Sequence, residues 1–274
     1  MKKTNNVLVQ QRYYILKELG SGGMSRVYKA RDIFTRKDVA LKKYETSDIA
    51  NHERILEGID REVTVLKNCT HPYLPKIFNF VNYNDSYYMV MEYICGEDLK
   101  KISKSKNKEY VKRNGRFKKK IALNIMIDVL SALYYLHSLE PPIVYRDLKP
   151  SNIIKTKDGV KLIDFGIAKR YSKDIANDKY AYGTKGFAAP EQFGNKNGEG
   201  LYNTDIRTDI YGAGATLYNL LCGKIYDPDI GISAGDKLIM GRGVSKIIKK
   251  ATMIQPDRRY QNVLEMLCDI RNLI

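Results

Sequence analysis

From Tyr13 to Tyr44 short apolar runs alternate with charge and glycine: YYILKEL, RVYKAR and DVALKKY. Runs this short, rich in β-branched and aromatic residues, predict three antiparallel strands. The period then lengthens. Ile55, Ile59, Val63 and Leu66 recur at helical spacing within 53–68, which predicts an amphipathic helix ending before the turn at His71-Pro72. KIFNFVNY and YYMVMEYI return to a strand pattern and predict a hairpin around Asn84-Asp85. Beyond Gly96 helical patterns dominate, over 120–138 and 208–222, with short strands near 152–163. The expected class is α+β. An N-terminal extension (1–11) precedes a small antiparallel β-rich lobe (12–94), and a larger, mainly helical lobe follows (95–274), the boundary falling at Ile94–Cys95.

Composition narrows this picture. With 274 residues, 43% hydrophobic and 28% charged, the chain can bury a sizeable core as a soluble protein. The opening MKKTNNVLVQ holds no apolar stretch long enough for a signal peptide. The longest apolar-looking stretch, Ile121 to Leu136, is broken by Asn124 and Asp128 and falls short of a membrane span. Cys69, Cys95, Cys222 and Cys268 are scattered without a CxxC pair, which points to reduced thiols and a cytoplasmic location. His52, His71 and His137 form no cluster and read as structural or surface residues.

The net charge is +16, and residues 100–120 alone hold eleven Lys/Arg against one Glu. The plainer reading is a solvated loop and helix face. The sharper one is a docking patch for an acidic partner. Nucleic acid gains no support, because aromatic residues do not interleave the basic ones.

Four motifs carry chemistry. The first, Leu19-Gly20-Ser21-Gly22-Gly23-Met24-Ser25-Arg26-Val27, lies between two predicted strands, where glycines let backbone amides approach a polyphosphate. A Rossmann fingerprint would need a helix after the glycines, and none is predicted. The second is Val39-Ala40-Leu41-Lys42, a strand lysine among apolar residues. Its charge needs an anionic partner: a phosphate, and a carboxylate from the following helix. Glu62 is the candidate, with Glu57 and Glu53 in reserve.

The third motif, Tyr145-Arg146-Asp147-Leu148-Lys149-Pro150-Ser151-Asn152, gathers a carboxylate to accept a hydroxyl proton, an ammonium to stabilise a moving phosphoryl charge, and an amide able to hold a metal. The fourth, Asp164-Phe165-Gly166, follows an apolar strand and offers a second carboxylate to the metal.

In this order and spacing the motifs resemble the eukaryotic-type protein kinase family over about residues 12–270, most like its bacterial serine/threonine members. The resemblance implies a bilobal protein kinase-like fold and an ATP- and Mg2+-dependent transfer to protein hydroxyls, with Mn2+ as an alternative metal. It implies that the loop from Leu19 to Ser25 covers the phosphates, that Lys42 held by Glu62 contacts them, and that Asn152 and Asp164 bind the metal. Met91, Glu92 and Ile94 would form the gatekeeper and hinge, with Val27, Ala40 and Ile154 around the adenine.

Asp147 would be the catalytic base and Lys149 its electrostatic partner. Thr184 would bond both, which with Lys149 implies serine/threonine preference. Ala189-Pro190-Glu191 would end the activation segment, paired with Arg259, and Asp209 would brace the catalytic loop. Leu66, Ile77, Tyr145 and Phe165 would form an internal apolar column.

Two competing readings, a scaffold lacking activity and a small-molecule kinase, are countered by the complete set of polar residues and by Thr184, Ala189-Pro190-Glu191 and Arg259. The chain departs from the pattern at Tyr145, where histidine is usual, and at Ser25, where a third glycine is usual. Between Asp164 and Thr184 the only Ser/Thr is Ser172, and Tyr180 stands where many relatives carry an activating phosphothreonine. No phosphothreonine is therefore expected to be needed there: Asp178 or a phosphorylated Tyr180 stands in, or the segment orders on its own. Cys95 reads as a small packing residue.

Overall fold

The computed structural model describes residues 7–21, 25–44, 56, 59, 62–67, 69–84, 86–105, 109–112, 115–171, 181–194 and 204–274. They fall into two compact units. One runs to Thr70 and takes in Pro75–Cys95; the other comprises His71–Leu74 and Gly96–Ile274.

The first unit is built on a six-stranded antiparallel sheet of order β1-β2-β3-β4-β6-β5. Its strands are β1 (Leu8–Val9), β2 (Tyr13–Ser21), β3 (Ser25–Asp32), β4 (Lys37–Tyr44), β5 (Ile77–Tyr83) and β6 (Ser86–Glu92). The strand β1 lies in the stretch read as an N-terminal extension. It pairs with Tyr13 and Tyr14, and Val9 is buried in the sheet's core. Two residues are too few to show alternation, so the pattern hid it. Asn84, at φ 47°, takes the left-handed turn that asparagine tolerates in a tight hairpin.

The central strand β4 is buried on both faces, and its period of two separates two environments. Val39 and Leu41 pack with Ala30, Tyr88 and Val90 in one apolar cluster. Lys42 opposes Val27 and Met89, and Ala40 opposes Lys29 and Met91, so Ala40, Lys42, Val27 and Met91 share the other face. Tyr44, on that same face, packs with Ile59 and Met89. Residues 56, 59 and 62–66 are helical; the remainder of the helix expected over 53–68 lies outside the described residues.

The second unit is mainly helical: α1 (Leu99–Lys104), α2 (Lys119–His137), α3 (Ile206–Cys222), α4 (Ala234–Met240), α5 (Arg242–Ala251) and α6 (Val263–Arg271). The strands β7 (Glu97–Asp98), β9 (Ile153–Thr156) and β10 (Gly159–Leu162) form one small sheet, and β8 (Ile143–Val144) pairs with β11 (Lys169–Arg170). Nearly every residue of α3 is buried, which is why its polar members Thr208, Asp209 and Thr216 all bond neighbouring segments.

The basic segment is more structured than a solvated loop. Val111 bridges Phe117, both are buried, and the Phe117 N–H donates to Leu220 O at 2.7 Å. Lys100, Lys101, Lys104, Lys112 and Lys118–Lys120 remain exposed around this anchored turn. Among the described residues no helix is long and apolar enough to cross a membrane.

Candidate active site

In the first unit the strand lysine finds its counter-ion. Lys42 Nζ donates to Glu62 Oε1 at 2.9 Å and to Oε2 at 2.6 Å, and Tyr44 Oη donates to Oε2 at 2.8 Å. Lys42 is 8% exposed and Glu62 2%. Buried charges persist only when paired and hydrogen-bonded, and here strand periodicity sets Lys42 and Tyr44 side by side beneath the helix. Of the three candidate glutamates Glu62 is in reach, and Glu53 and Glu57 lie outside the described residues. Tyr44 was not anticipated, although its i+2 spacing from Lys42 placed it on the same face.

Leu19, Gly20 and Ser21 end β2 and are exposed, while Ser25 opens β3. Gly22, Gly23 and Met24, the tip of that loop, lie outside the described residues. Among the described residues a Cβ added at Gly20 would meet nothing within 4 Å, so their packing does not require the glycine there. Val27, Ala40 and Met91 line the Lys42 face of the sheet. The Glu92 N–H donates to Lys76 O at 2.8 Å. Ile94 follows, half-buried, and Cys95 is exposed rather than packed.

In the second unit the catalytic-loop candidates converge. Lys149 Nζ donates to Asp147 Oδ2 at 2.6 Å and to Thr184 Oγ1 at 2.7 Å, and Thr184 Oγ1 donates to Asp147 Oδ1 at 2.8 Å. Asn152 Nδ2 donates to Asp147 O at 3.0 Å and to its Oδ2 at 2.9 Å. The side chains of Asp147 and Lys149 keep 11% and 20% exposure. The arrangement holds a carboxylate, an ammonium and a hydroxyl together where a further hydroxyl can reach them.

Buried groups hold this loop from behind. Asp209 accepts from the Tyr145 N–H at 2.8 Å and the Arg146 N–H at 2.7 Å, and His137 Nε2 lies 2.8 Å from it. Arg146 sits at φ 69° and Asp164 at φ 65°, left-handed conformations that side chains other than glycine adopt only where surroundings impose them. For Arg146 the imposing contact is Asp209. Thr216 Oγ1 donates to Leu148 O at 3.0 Å. Tyr145, in place of histidine, is fully buried edge-on to Phe165 at 4.9 Å and donates to Ile163 O at 2.5 Å. Burial pushes its phenol well above the ordinary value, so it serves only as a neutral donor. Leu66 is buried and Ile77 half-buried in the first unit.

The metal candidates offer one amide and one carboxylate. Both N–H groups of Asn152 are spent on Asp147, so the atom it has for a cation is its oxygen. Asp164 is exposed and adds carboxylate oxygens. These are donors for a hard cation such as Mg2+. Among the described residues no group of three or more His, Cys, Asp or Glu comes together as a metal cage.

Glu191 receives Arg259 bidentately at 2.7 and 2.8 Å and accepts from Thr208 Oγ1 at 3.0 Å. Gln192 was not anticipated. It is 2% exposed, accepts from the Ala189 N–H at 2.9 Å, and donates to Arg146 O at 2.9 Å and Tyr182 O at 2.8 Å. Arg146 donates through Nε to Ile167 O at 2.5 Å and lies over the Tyr182 ring at 5.3 Å. Ser172, Asp178 and Tyr180 lie outside the described residues.

The comparisons agree with this geometry. Residues 13–270 match the protein kinase domain family. The chain is 34% identical to the serine/threonine-protein kinase PrkC of Bacillus subtilis, over 96% of this chain and 40% of that protein. It is 32% identical to a probable serine/threonine-protein kinase of Clostridium perfringens, over 97% and 39%, and 29% identical to the probable serine/threonine-protein kinase PknB of Lactococcus lactis, over 94% and 41%. The chain thus spans about two fifths of the length of these curated relatives. A match that runs from residue 13 to residue 270, through both units, means that the chain belongs to the protein kinase family.

Proposed function

We propose that this chain is an active serine/threonine protein kinase that moves the γ-phosphoryl group of ATP to protein hydroxyls. The observation that carries the reading is the closed triangle of Asp147, Lys149 and Thr184, each within 2.8 Å of the next. An acceptor hydroxyl approaching it gives its proton to Asp147 as its oxygen bonds the γ-phosphorus, and the bond to the β–γ bridging oxygen breaks to release ADP. Lys149 offsets charge on the group in transit, and Thr184 fixes the rotamers of both. Lys42, oriented by Glu62 and Tyr44, binds the α- and β-phosphates. The Leu19–Ser25 loop covers them, and adenine is held by the backbone of Glu92 and Ile94 with Val27, Ala40, Met91 and Ile154 around the ring.

Protein kinases use ATP with a divalent metal, and Asn152 and Asp164 are the residues that would hold it here. Mg2+, or Mn2+ in its place, supplies charge neutralisation on the phosphate oxygens when bound. The chain's own part is positioning and electrostatics, the larger share of catalysis in phosphoryl transfer. The exposed lysines over 100–120 are a docking surface for an acidic protein partner, and the protein acts in the cytoplasm.

The test is incubation with γ-labelled ATP, Mg2+ and a casein-like or basic protein, followed by acid hydrolysis. Phosphoserine and phosphothreonine are expected. Label on small metabolites alone, or ATP binding without transfer, would replace this reading with one of a small-molecule kinase or a scaffold.

A further inference from the structure

We propose that Gln192 is a positioning residue that ties the acceptor-binding rim to the catalytic loop through a single carboxamide. The inference rests on the kinase reading above and deepens it. Gln192 Nε2 bonds two carbonyls from segments 36 residues apart in the chain, Arg146 O at 2.9 Å and Tyr182 O at 2.8 Å. Asp147 follows the first of these directly, and Thr184 stands two residues beyond the second. The Gln192 Oε1 accepts from the Ala189 N–H at 2.9 Å, which fixes the amide's orientation and leaves both N–H groups pointing at the carbonyls. All three functions of the amide are used at a site 2% exposed, so its removal strands one buried and one part-buried carbonyl.

The backbone is shaped around this amide. Gly183, between Tyr182 and Thr184, has φ 132°, and a Cβ there would lie 2.8 Å from Gln192 Nε2 and 2.5 Å from the Ala188 Cβ. Arg146 is already engaged with Ile167 O and the Tyr182 ring. Among the described residues, the Arg146 guanidinium over the Tyr182 ring adds a further contact between loop and rim beside the carboxamide. The rim residue this fixes is Thr184, whose hydroxyl and carbonyl both bond neighbours, the carbonyl accepting from the Phe187 and Ala188 N–H groups at 3.0 and 2.9 Å.

The experiment compares Gln192→Glu, Gln192→Met and Gly183→Ala with wild type, after phosphatase treatment of all four. Glutamate retains an acceptor for Ala189 but sets an anion against two carbonyls; methionine keeps the volume and loses every bond. Steady-state transfer to a serine- or threonine-containing protein is read beside the ATP dissociation constant and the thermal midpoint. A drop of about tenfold or more in kcat/KM for the acceptor is expected in both Gln192 variants, with the larger share in kcat, while the ATP constant moves less than about twofold. Gly183→Ala, which disturbs the amide from the other side, should show the same split even if a Gln192 variant fails to fold. Acceptor kinetics equal to wild type, or losses in acceptor and ATP parameters that simply follow the thermal midpoint, would overturn the proposal. Wild type that labels no protein under any condition would sink the kinase reading and the proposal with it.

Discussion

The two units hold their functional charges in opposite ways. Lys42 and Glu62 neutralise one another in near-complete burial, with a tyrosine hydroxyl as the third partner. Asp147 and Lys149 also touch, yet both stay partly exposed, and their position comes from neutral or backbone contacts behind them: Asp209 on two amides, Thr216 on Leu148 O, Gln192 on Arg146 O. The first arrangement makes the charge pair part of the fold. The second separates the scaffold from the chemistry, so that the reacting groups can be altered without removing what holds them.

The largest expected effect exploits that separation. Asp147→Asn removes the proton acceptor and should lower turnover by about 10²–10⁴-fold, with little change in thermal midpoint, because Asp209 and Gln192 still hold the loop. A comparable loss of stability would break the comparison. Lys42→Met should behave differently, costing turnover and also about 3–5 kcal/mol of stability, since the buried Glu62 carboxylate loses its ammonium partner. Adding Glu62→Leu to Lys42→Met should restore much of that stability but none of the activity. Urea unfolding of the single and double variants checks this, and a double variant no more stable than Lys42→Met would contradict it.

Arg259→Ala should cost about the same in stability by stranding Glu191, with activity at low temperature reduced far less than in Asp147→Asn. The smallest effect belongs to the Arg12–Asp32 pair. The Arg12 hydrogen bond holds the Asp32 carboxyl down to about 2 from an ordinary 3.8. A depressed carboxylate stabilises the fold above its ordinary value and loses that contribution as pH falls through the shifted one. Arg12→Ala should therefore lower the thermal midpoint by at most about 2–4 °C near neutrality, and the difference from wild type should shrink below pH 3.8 towards pH 2. A difference that grows on acidification would reverse the assignment.

Much of this was legible in the chain because the chemistry demands particular side chains at particular spacings. Asp147, Lys149 and Asn152 stood out by identity and spacing and do bond one another, and the alternation of VALK placed Lys42 on a strand. Glu62 could be chosen only as the best of three, because helical spacing offers several carboxylates and distance alone decides. Gln192 was illegible as a link since its partners are main-chain carbonyls, which every residue has. The strand Leu8–Val9 and the bridge from Val111 to Phe117 were missed for a related reason. Each is too short for a period, and the second lies inside a run of lysines whose charge masks its two apolar anchors.

The most direct test of the account is single-turnover transfer from γ-labelled ATP to a serine or threonine acceptor by wild type and by Asp147→Asn, with ATP affinity measured on both. Near-equal ATP affinities are expected, with label on the acceptor in wild type and about one-hundredth of that rate or less in the variant. Equal transfer rates in the two proteins would contradict the role given to Asp147 and the reading built on it.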